Sequence, residues 1–120
     1  MSRRNQGVIV NMSSVAGLMG LENVSHYSAA KAGILGFTRA VAREVGSRNI
    51  RVDAICPGLI DPPMTQSVSP LMRKALTART PLGPWAEPDE VAKTALFLPS
   101  DDSSFFTGQW LSPNGGLFIG

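Results

Sequence analysis

The sequence has one cysteine and one histidine among its 120 residues. A single cysteine excludes an intrachain disulfide. Cys56 and His26 together are too few ligands for a zinc site of the usual kind, so we expect no metal. Without disulfides to form, the chain is expected in a reducing, cytoplasmic setting.

Long apolar runs and clustered charges are also missing. The uncharged stretch 6–21 contains asparagine and serine, and it is shorter than the roughly 20 apolar residues of a membrane helix. No secretory signal is visible at the start of the chain. Eleven basic and nine acidic residues are spread along the sequence, giving a net charge of +2. We therefore predict neither a membrane nor a nucleic acid as partner.

What the chain contains is typical of one modest globular domain, with 43% hydrophobic and 17% charged residues. The β-branched run Gly7–Met12 predicts a strand buried on both faces. A helix is predicted from Ser25, as N-cap, to about Val45, with Gly46 as its stop. Asn49–Ile55 reads as a second strand. Strand, helix and strand over this length predict a βαβ unit with parallel strands.

The rest of the chain carries shorter signals. Val15–Gly17 is predicted to begin a loop. A weak helical pattern covers 70–78 and is a candidate cover over a site. Proline near the start and acidic residues in the first turn predict a helix from Glu87, which Pro99 ends. A short strand is predicted at Gln109–Leu111.

Tyr27 and Lys31 are the first candidate functional pair. On a helix, positions i and i+4 share a face, so the phenol and the ammonium can meet. A neighbouring cation favours the phenolate, which suits a general acid or base. The alternative is an ordinary amphipathic surface pair, which for such a pattern alone is the commoner case.

Two other features have a functional and a structural interpretation. Ser14 follows the first strand, where ligand sites of open α/β sheets lie, but Ser13 and Ser14 also suit simple turn hydrogen bonds. Small residues recur every four positions along the 25–46 helix, and they predict close packing either on the chain's own sheet or on another subunit. They are Ala29, Ala32, Gly33, Gly36 and Ala40. Cys56 is most simply a small core residue.

Several short motifs together resemble the carboxyl-terminal half of a short-chain dehydrogenase/reductase, most of all its 3-oxoacyl-[acyl-carrier-protein] reductase members. Ser14 lies 13 residues before Tyr27, and Pro57 lies 30 residues after it. The motifs are Asn11-Met12-Ser13-Ser14, Tyr27-Ser28-Ala29-Ala30-Lys31, Pro57-Gly58, Thr107-Gly108-Gln109 and Asn114-Gly115-Gly116. Their order and spacing, more than any one of them, make the likeness specific.

The resemblance implies a fold and a cofactor. The fold would be α/β, a partial Rossmann-like doubly wound parallel sheet of about three strands with crossover helices. Residues 1–120 would form the carboxyl-terminal half of a single NAD(P)-binding domain, without its glycine-rich amino-terminal half. The cofactor would be NAD or NADP, with no residue here to choose between them.

The resemblance also implies residue roles in an NAD(P)-dependent oxidoreductase acting on a small carbonyl or alcohol. Tyr27 would be the general acid/base, Lys31 would assist it and bind the nicotinamide ribose, and Ser14 would hold the substrate oxygen. The nicotinamide carboxamide would contact the backbone of Pro57, Gly58 and Ile60.

Departures from the family pattern leave a second hypothesis open. Asp53 stands where the family usually has asparagine, Pro62 where a threonine commonly contacts the carboxamide, and Pro84 and Pro99 are unusual at their positions. No glycine-rich phosphate loop occurs in the sequence. The alternative is a non-catalytic truncated relative that acts as an interaction protein. In either case we expect a homo-oligomer through the 25–46 helix.

Overall fold

A computed structural model describes residues 6–60, 70–83 and 85–120. In chain order, its elements are β1 Gly7–Met12, α1 Val15–Met19, α2 Ser25–Val45, β2 Ile50–Ile55, α3 Pro70–Ala78, α4 Pro88–Phe97 and β3 Trp110–Leu111. The strands form one parallel sheet in the order β1-β2-β3. This confirms the predicted α/β class and the partial Rossmann-like sheet. Within these ranges no helix has both the length and the apolarity needed to cross a bilayer.

β2 is the central strand, and its two faces differ. It pairs with β1 from Gly7↔Ile50 to Met12↔Ile55, and at its carboxyl end with β3. Ile50 and Val52 pack against Ala42 of α2, and Ala54 packs in a second cluster around Leu35. Because side chains alternate along a strand, the intervening positions point to the opposite face of the sheet. Apolar packing on α2 therefore holds one face of the sheet.

Arg51 organises the opposite face. Its guanidinium makes five hydrogen bonds with the segment after α4, four of them to the backbone carbonyls of Leu98, Ser100, Ser103 and Phe106. The shortest joins Nη1 to the Ser103 carbonyl at 2.8 Å. Carbonyls at a helix C-terminus carry partial negative charge and lack intrahelical donors, so a cation there is stabilising. Arg51 thereby fixes α4 and the following turn to the sheet.

Several local predictions need correction. Val15–Met19 is a short helix, not a loop, because the Ser14 side chain caps it. Ser25 is the first residue of α2, and Val24 occupies the N-cap. β1 is half-buried rather than buried on both faces, and among the described strands it lies at the edge of the sheet. Gly46 stays right-handed, and Asn49 takes the left-handed turn with φ of 58°. Pro62 and Pro84 lie outside the described residues.

The small residues of α2 face away from the sheet. Ala29, Ala32, Gly33, Gly36 and Ala40 are all exposed, and a methyl group added at Gly33 or Gly36 would meet no atom within 4 Å. Packing on the chain's own sheet is therefore the wrong interpretation of these ridges. Phe37, on the same helix, is 60% exposed.

Asp53 is a buried carboxylate with one unpaired oxygen. Its Oδ1 accepts a hydrogen bond from the Gln109 N–H at 3.0 Å. Its Oδ2 has no hydrogen-bond partner in the described structure, although Arg51 Nη1 lies 3.6 Å away. Burial raises the pKa of Asp53, and the Gln109 hydrogen bond and the Arg51 charge only partly oppose this. The ionised form is therefore costly in the folded chain.

We predict that Asp53→Asn stabilises the chain at neutral pH. Asparagine keeps an oxygen for the Gln109 N–H and removes the buried charge, a gain of about 1–3 kcal/mol. Since the folded-state pKa lies above the ordinary value of 3.8, the wild-type chain loses stability as pH rises from that value through the raised pKa. The difference in unfolding free energy between Asp53→Asn and the wild-type chain should therefore grow as pH rises through this range. Below pH 3.8 it should vanish.

Urea unfolding of the two chains at a series of pH values measures this difference. Glu44→Gln, a neutralisation on the exposed side of α2, is the control and should show no such pH-dependent gain. A less stable Asp53→Asn variant at neutral pH would mean that the ion pair with Arg51 outweighs the cost of burial.

Candidate active site

The site is built on the two serines that follow β1. Ser14 is extended, with φ of −165° and ψ of 155°, and its Oγ accepts a hydrogen bond from the Ala16 N–H at 3.1 Å. Ser13 is buried, and its hydroxyl donates to the Lys31 carbonyl of α2 at 2.7 Å. The prediction of a turn hydrogen bond is therefore confirmed for Ser14, whereas the Ser13 hydroxyl bonds across to α2 and not within a turn. That does not exclude a second role for Ser14, because a hydroxyl that accepts one bond can still donate another.

Gly17 brings α1 into direct contact with α2. A β-carbon at this position would lie 2.8 Å from both Ala32 N and Lys31 C. Both are backbone atoms, which cannot swing aside as a side chain can. Gly17, predicted to lie in a loop, instead allows this close approach beside Lys31.

Tyr27 and Lys31 meet as their spacing predicts. Lys31 Nζ lies 5.6 Å from the centre of the Tyr27 ring, and it donates to the Met12 carbonyl at 3.4 Å. The second contact places the ammonium at the carboxyl end of β1, next to the serines. Tyr27 is 43% exposed, and it lines a groove on the surface. The structure thus brings Tyr27, Lys31 and the Ser13–Ser14 segment to one end of the sheet.

Pro57 joins this group, and Ile60 lies further away. The Pro57 carbonyl accepts a hydrogen bond from the Val15 N–H at 2.9 Å, directly after Ser14. Ile60 pairs with Ala86 in an isolated parallel bridge. The segment between them therefore runs from the serines toward the start of α4.

Asn114 fixes the Pro57-Gly58 turn from the other side. A β-carbon at Gly58 would lie 2.7 Å from Asn114 Cα, and the Gly58 N–H donates to the Pro113 carbonyl at 3.2 Å. Asn114 is buried, and its amide group bonds Ser112, Gly116 and Phe118. In the sequence, Asn114 stands out only as part of the Asn114-Gly115-Gly116 motif, and its contact with Gly58 carried no sequence signal.

Cys56 is a core residue, as predicted. It is fully buried in the cluster of Leu35 and Ala54, and burial raises the pKa of its thiol, so the neutral form is favoured. In the described parts of the chain, no three His, Cys, Asp or Glu side chains are grouped as metal ligands.

An apolar groove opens beside Tyr27, with a cavity volume of about 790 Å³. Its walls come from the turn before α2, from the segment after β2, from α3 and from Trp85. Besides Tyr27, the lining includes Leu21, Val24, Leu59, Leu71, Leu76 and Trp85. α3 was predicted from the sequence as a candidate cover over a site, whereas these lining residues, apart from Tyr27, were not predicted. The apolar positions of α3 were the available signal, whereas nothing near Trp85 indicated its place in the groove.

Fold and site together define an α/β protein with part of a Rossmann-like sheet and a tyrosine–lysine pair at the strand ends. A family model described as enoyl-(acyl carrier protein) reductase matches residues 1–118. The chain belongs to the short-chain dehydrogenase/reductase family, as its motifs suggested. The 3-oxoacyl-[acyl-carrier-protein] reductase of Chlamydia trachomatis is 49% identical over 117 residues, which are 98% of this chain and 47% of that protein.

Solved structures give the same result. A 3-oxoacyl-[acyl-carrier protein] reductase from Brucella melitensis superimposes with a TM-score of 0.92 at 43% identity, over all of this chain and 45% of that one. A second structure from that organism, with bound NAD, gives a TM-score of 0.90 at 41% identity and covers 44% of that chain. The chain thus spans about half the length of the relatives it matches.

We predict that Gly17→Ala disrupts the site more than its small volume suggests. The added methyl group must push α1 away from the α2 backbone, at a cost of about 1–3 kcal/mol. Gly46→Ala is the matched control, because Gly46 has φ of −60° and no atom within 4 Å of an added β-carbon. Thermal unfolding should show a lower midpoint for the first variant and an unchanged or higher one for the second. Equal shifts of the unfolding midpoint in the two variants would mean that α1 can move away from the α2 backbone at Lys31 without strain.

Proposed function

We propose that this chain carries the substrate-side half of an NAD(P)-dependent carbonyl reductase site, with Ser14, Tyr27 and Lys31 as its catalytic residues. The observation that carries the proposal is that Lys31 contacts both the Tyr27 ring and the carbonyl of Met12, which lies two residues before Ser14. The groove next to Tyr27 supports an apolar carbonyl substrate. The names of the relatives favour 3-oxoacyl thioesters within that class.

Each residue has a distinct task in the proposed reduction. The Ser14 hydroxyl donates a hydrogen bond to the carbonyl oxygen, and its lone pair remains occupied by the Ala16 N–H. The Tyr27 phenol gives its proton to the same oxygen as negative charge develops there. The Lys31 ammonium, 5.6 Å from the centre of the Tyr27 ring, places a positive charge near the group that gives up this proton. In the reverse direction, the phenolate takes the proton from an alcohol.

The residues present fit one end of a nicotinamide dinucleotide. The Lys31 ammonium has two further N–H donors for ribose hydroxyls besides the one used by the Met12 carbonyl. Because the Pro57 carbonyl and the Gly58 N–H already bond Val15 and Pro113, the carboxamide would be held within this segment mainly by the backbone of Ile60. When bound, the cofactor supplies the hydride that reduces the carbonyl carbon. We further propose that residues 1–120 are the carboxyl-terminal half of one Rossmann-like domain, since no phosphate-binding glycine loop occurs among them.

We predict that Tyr27→Phe abolishes carbonyl reduction, because the ring remains but the proton is lost. The assay is NADH- or NADPH-dependent reduction of acetoacetyl thioesters, with calorimetric titration of both cofactors to separate binding from turnover. Ser47→Ala, on the exposed turn after α2, is the control and should leave activity unchanged. Full activity of Tyr27→Phe would overturn the assignment.

A second candidate function is subunit association through α2, with or without catalysis. Its exposed small-residue face and the 60% exposed Phe37 support this candidate. Small residues at four-residue spacing let two helix backbones approach closely. We propose that two copies of the chain pack through this face as a homo-oligomer. If neither cofactor binds in the titrations, the interaction role is the better account.

We predict that Gly36→Leu dissociates such an oligomer. In the single chain the larger side chain enters open space, so the fold should survive. Between two closely packed helices it would force them apart. Light scattering coupled to size-exclusion chromatography should show a shift to the monomer for Gly36→Leu. Ser47→Leu adds the same side chain at an exposed position off α2 and should leave the mass unchanged. An unchanged mass for both variants would place the interface elsewhere.

A further inference from the structure

Trp85 separates two cavities. One is the groove beside Tyr27, and the other, with a volume of about 450 Å³, lies between the start of α4 and the turn at Asn114. Leu59 and Trp85 line both cavities. The indole, the larger of these two side chains, is therefore a partition between them.

The partition is held from two sides through α3. The indole Nε1–H donates to Thr77 Oγ1 at 3.0 Å, and the Thr77 hydroxyl in turn donates to the Arg73 carbonyl at 2.7 Å. The Arg73 guanidinium carbon lies 4.2 Å from the centre of the Trp85 ring, a cation–π distance. One contact fixes the edge of the ring and the other fixes its face, so the ring cannot rotate out of the way without losing both.

The backbone of the same segment is anchored independently. The Ala86 N–H donates to the Leu59 carbonyl at 2.9 Å, and Ala86 bridges to Ile60. Trp85 thus connects the segment after β2 with α3, and both of these line the groove. Because both α3 and the segment after β2 hold Trp85, its side chain has a defined position. A residue that determines substrate specificity requires such a position.

We propose that Trp85 closes the groove and sets the longest acyl chain that the site accepts. This inference rests on the proposed function, since it takes the groove's occupant to be the alkyl chain of a carbonyl substrate whose oxygen lies at Tyr27. Burial of each further methylene on an apolar lining is expected to raise affinity about fourfold. The gain must stop where the chain meets the indole. Removal of the indole would join the two cavities and let a longer chain continue into the second.

The test is calorimetric binding of 3-oxoacyl N-acetylcysteamine thioesters of increasing chain length, without nicotinamide cofactor. For the wild-type chain, affinity should rise with length and then level off or fall. For Trp85→Ala the rise should continue to longer chains. Trp85→Phe keeps an aromatic wall and should keep a limit close to that of the wild type. Leu82→Ala, which alters only the second cavity, is the matched control and should not move the limit.

The outcomes separate the inference from the function on which it rests. If Trp85→Ala changes the affinity for short and long chains by the same factor, Trp85 is only structural and the inference is overturned while the proposed function stands. If no thioester binds the wild-type chain, the proposed substrate class fails and the chain-length role fails with it. Fluorescence of Trp110, the other tryptophan, reports whether each Trp85 variant keeps its fold.

Discussion

The hydrogen bond from the Ser13 hydroxyl to the Lys31 carbonyl is the contact on which the site depends. It joins the end of β1 to the second turn of α2, where Gly17 also lets α1 touch the helix backbone. The Lys31 ammonium then returns to the Met12 carbonyl, so one residue is held to the strand end through both its backbone and its side chain. Tyr27 takes its place one helical turn earlier. Contacts made by Ser13, Lys31 and Gly17 thus fix the start of α2 at the end of β1.

The second half of the site depends on the polar face of β2. Arg51 holds the segment after α4 by its carbonyls, and Asp53 binds the Gln109 N–H that leads into β3. β3 then delivers Asn114 to the turn at Gly58. β2 therefore makes apolar contacts to α2 on one face. On the other face it makes polar contacts to the segment that follows α4 and leads into β3. The buried carboxylate oxygen of Asp53 is the cost of placing charge in that interior.

The sequence predicted the longer elements from their own local signals. β1 followed from a run of β-branched residues and α2 from a serine at its start and a glycine at its end. The i, i+4 rule then placed Lys31 beside Tyr27. α1 was missed because a five-residue helix with a central glycine has no measurable period. The contact between Gly58 and Asn114, and the one between Trp85 and Thr77, depend on tertiary packing. No local pattern in the sequence encodes them.

The proposed catalytic residues and the wall of the groove lie on elements of different kinds. The residues proposed for proton transfer lie at a strand end and on a long helix that packs against the sheet. The groove wall is made by a short helix with no buried residue and by a loop, joined through one indole. Substitutions in that wall can change the shape of the groove without moving Tyr27 or Lys31. The residues proposed for proton transfer and the wall proposed to limit the substrate thus lie in separate parts of the structure, and only the first are readable from sequence motifs.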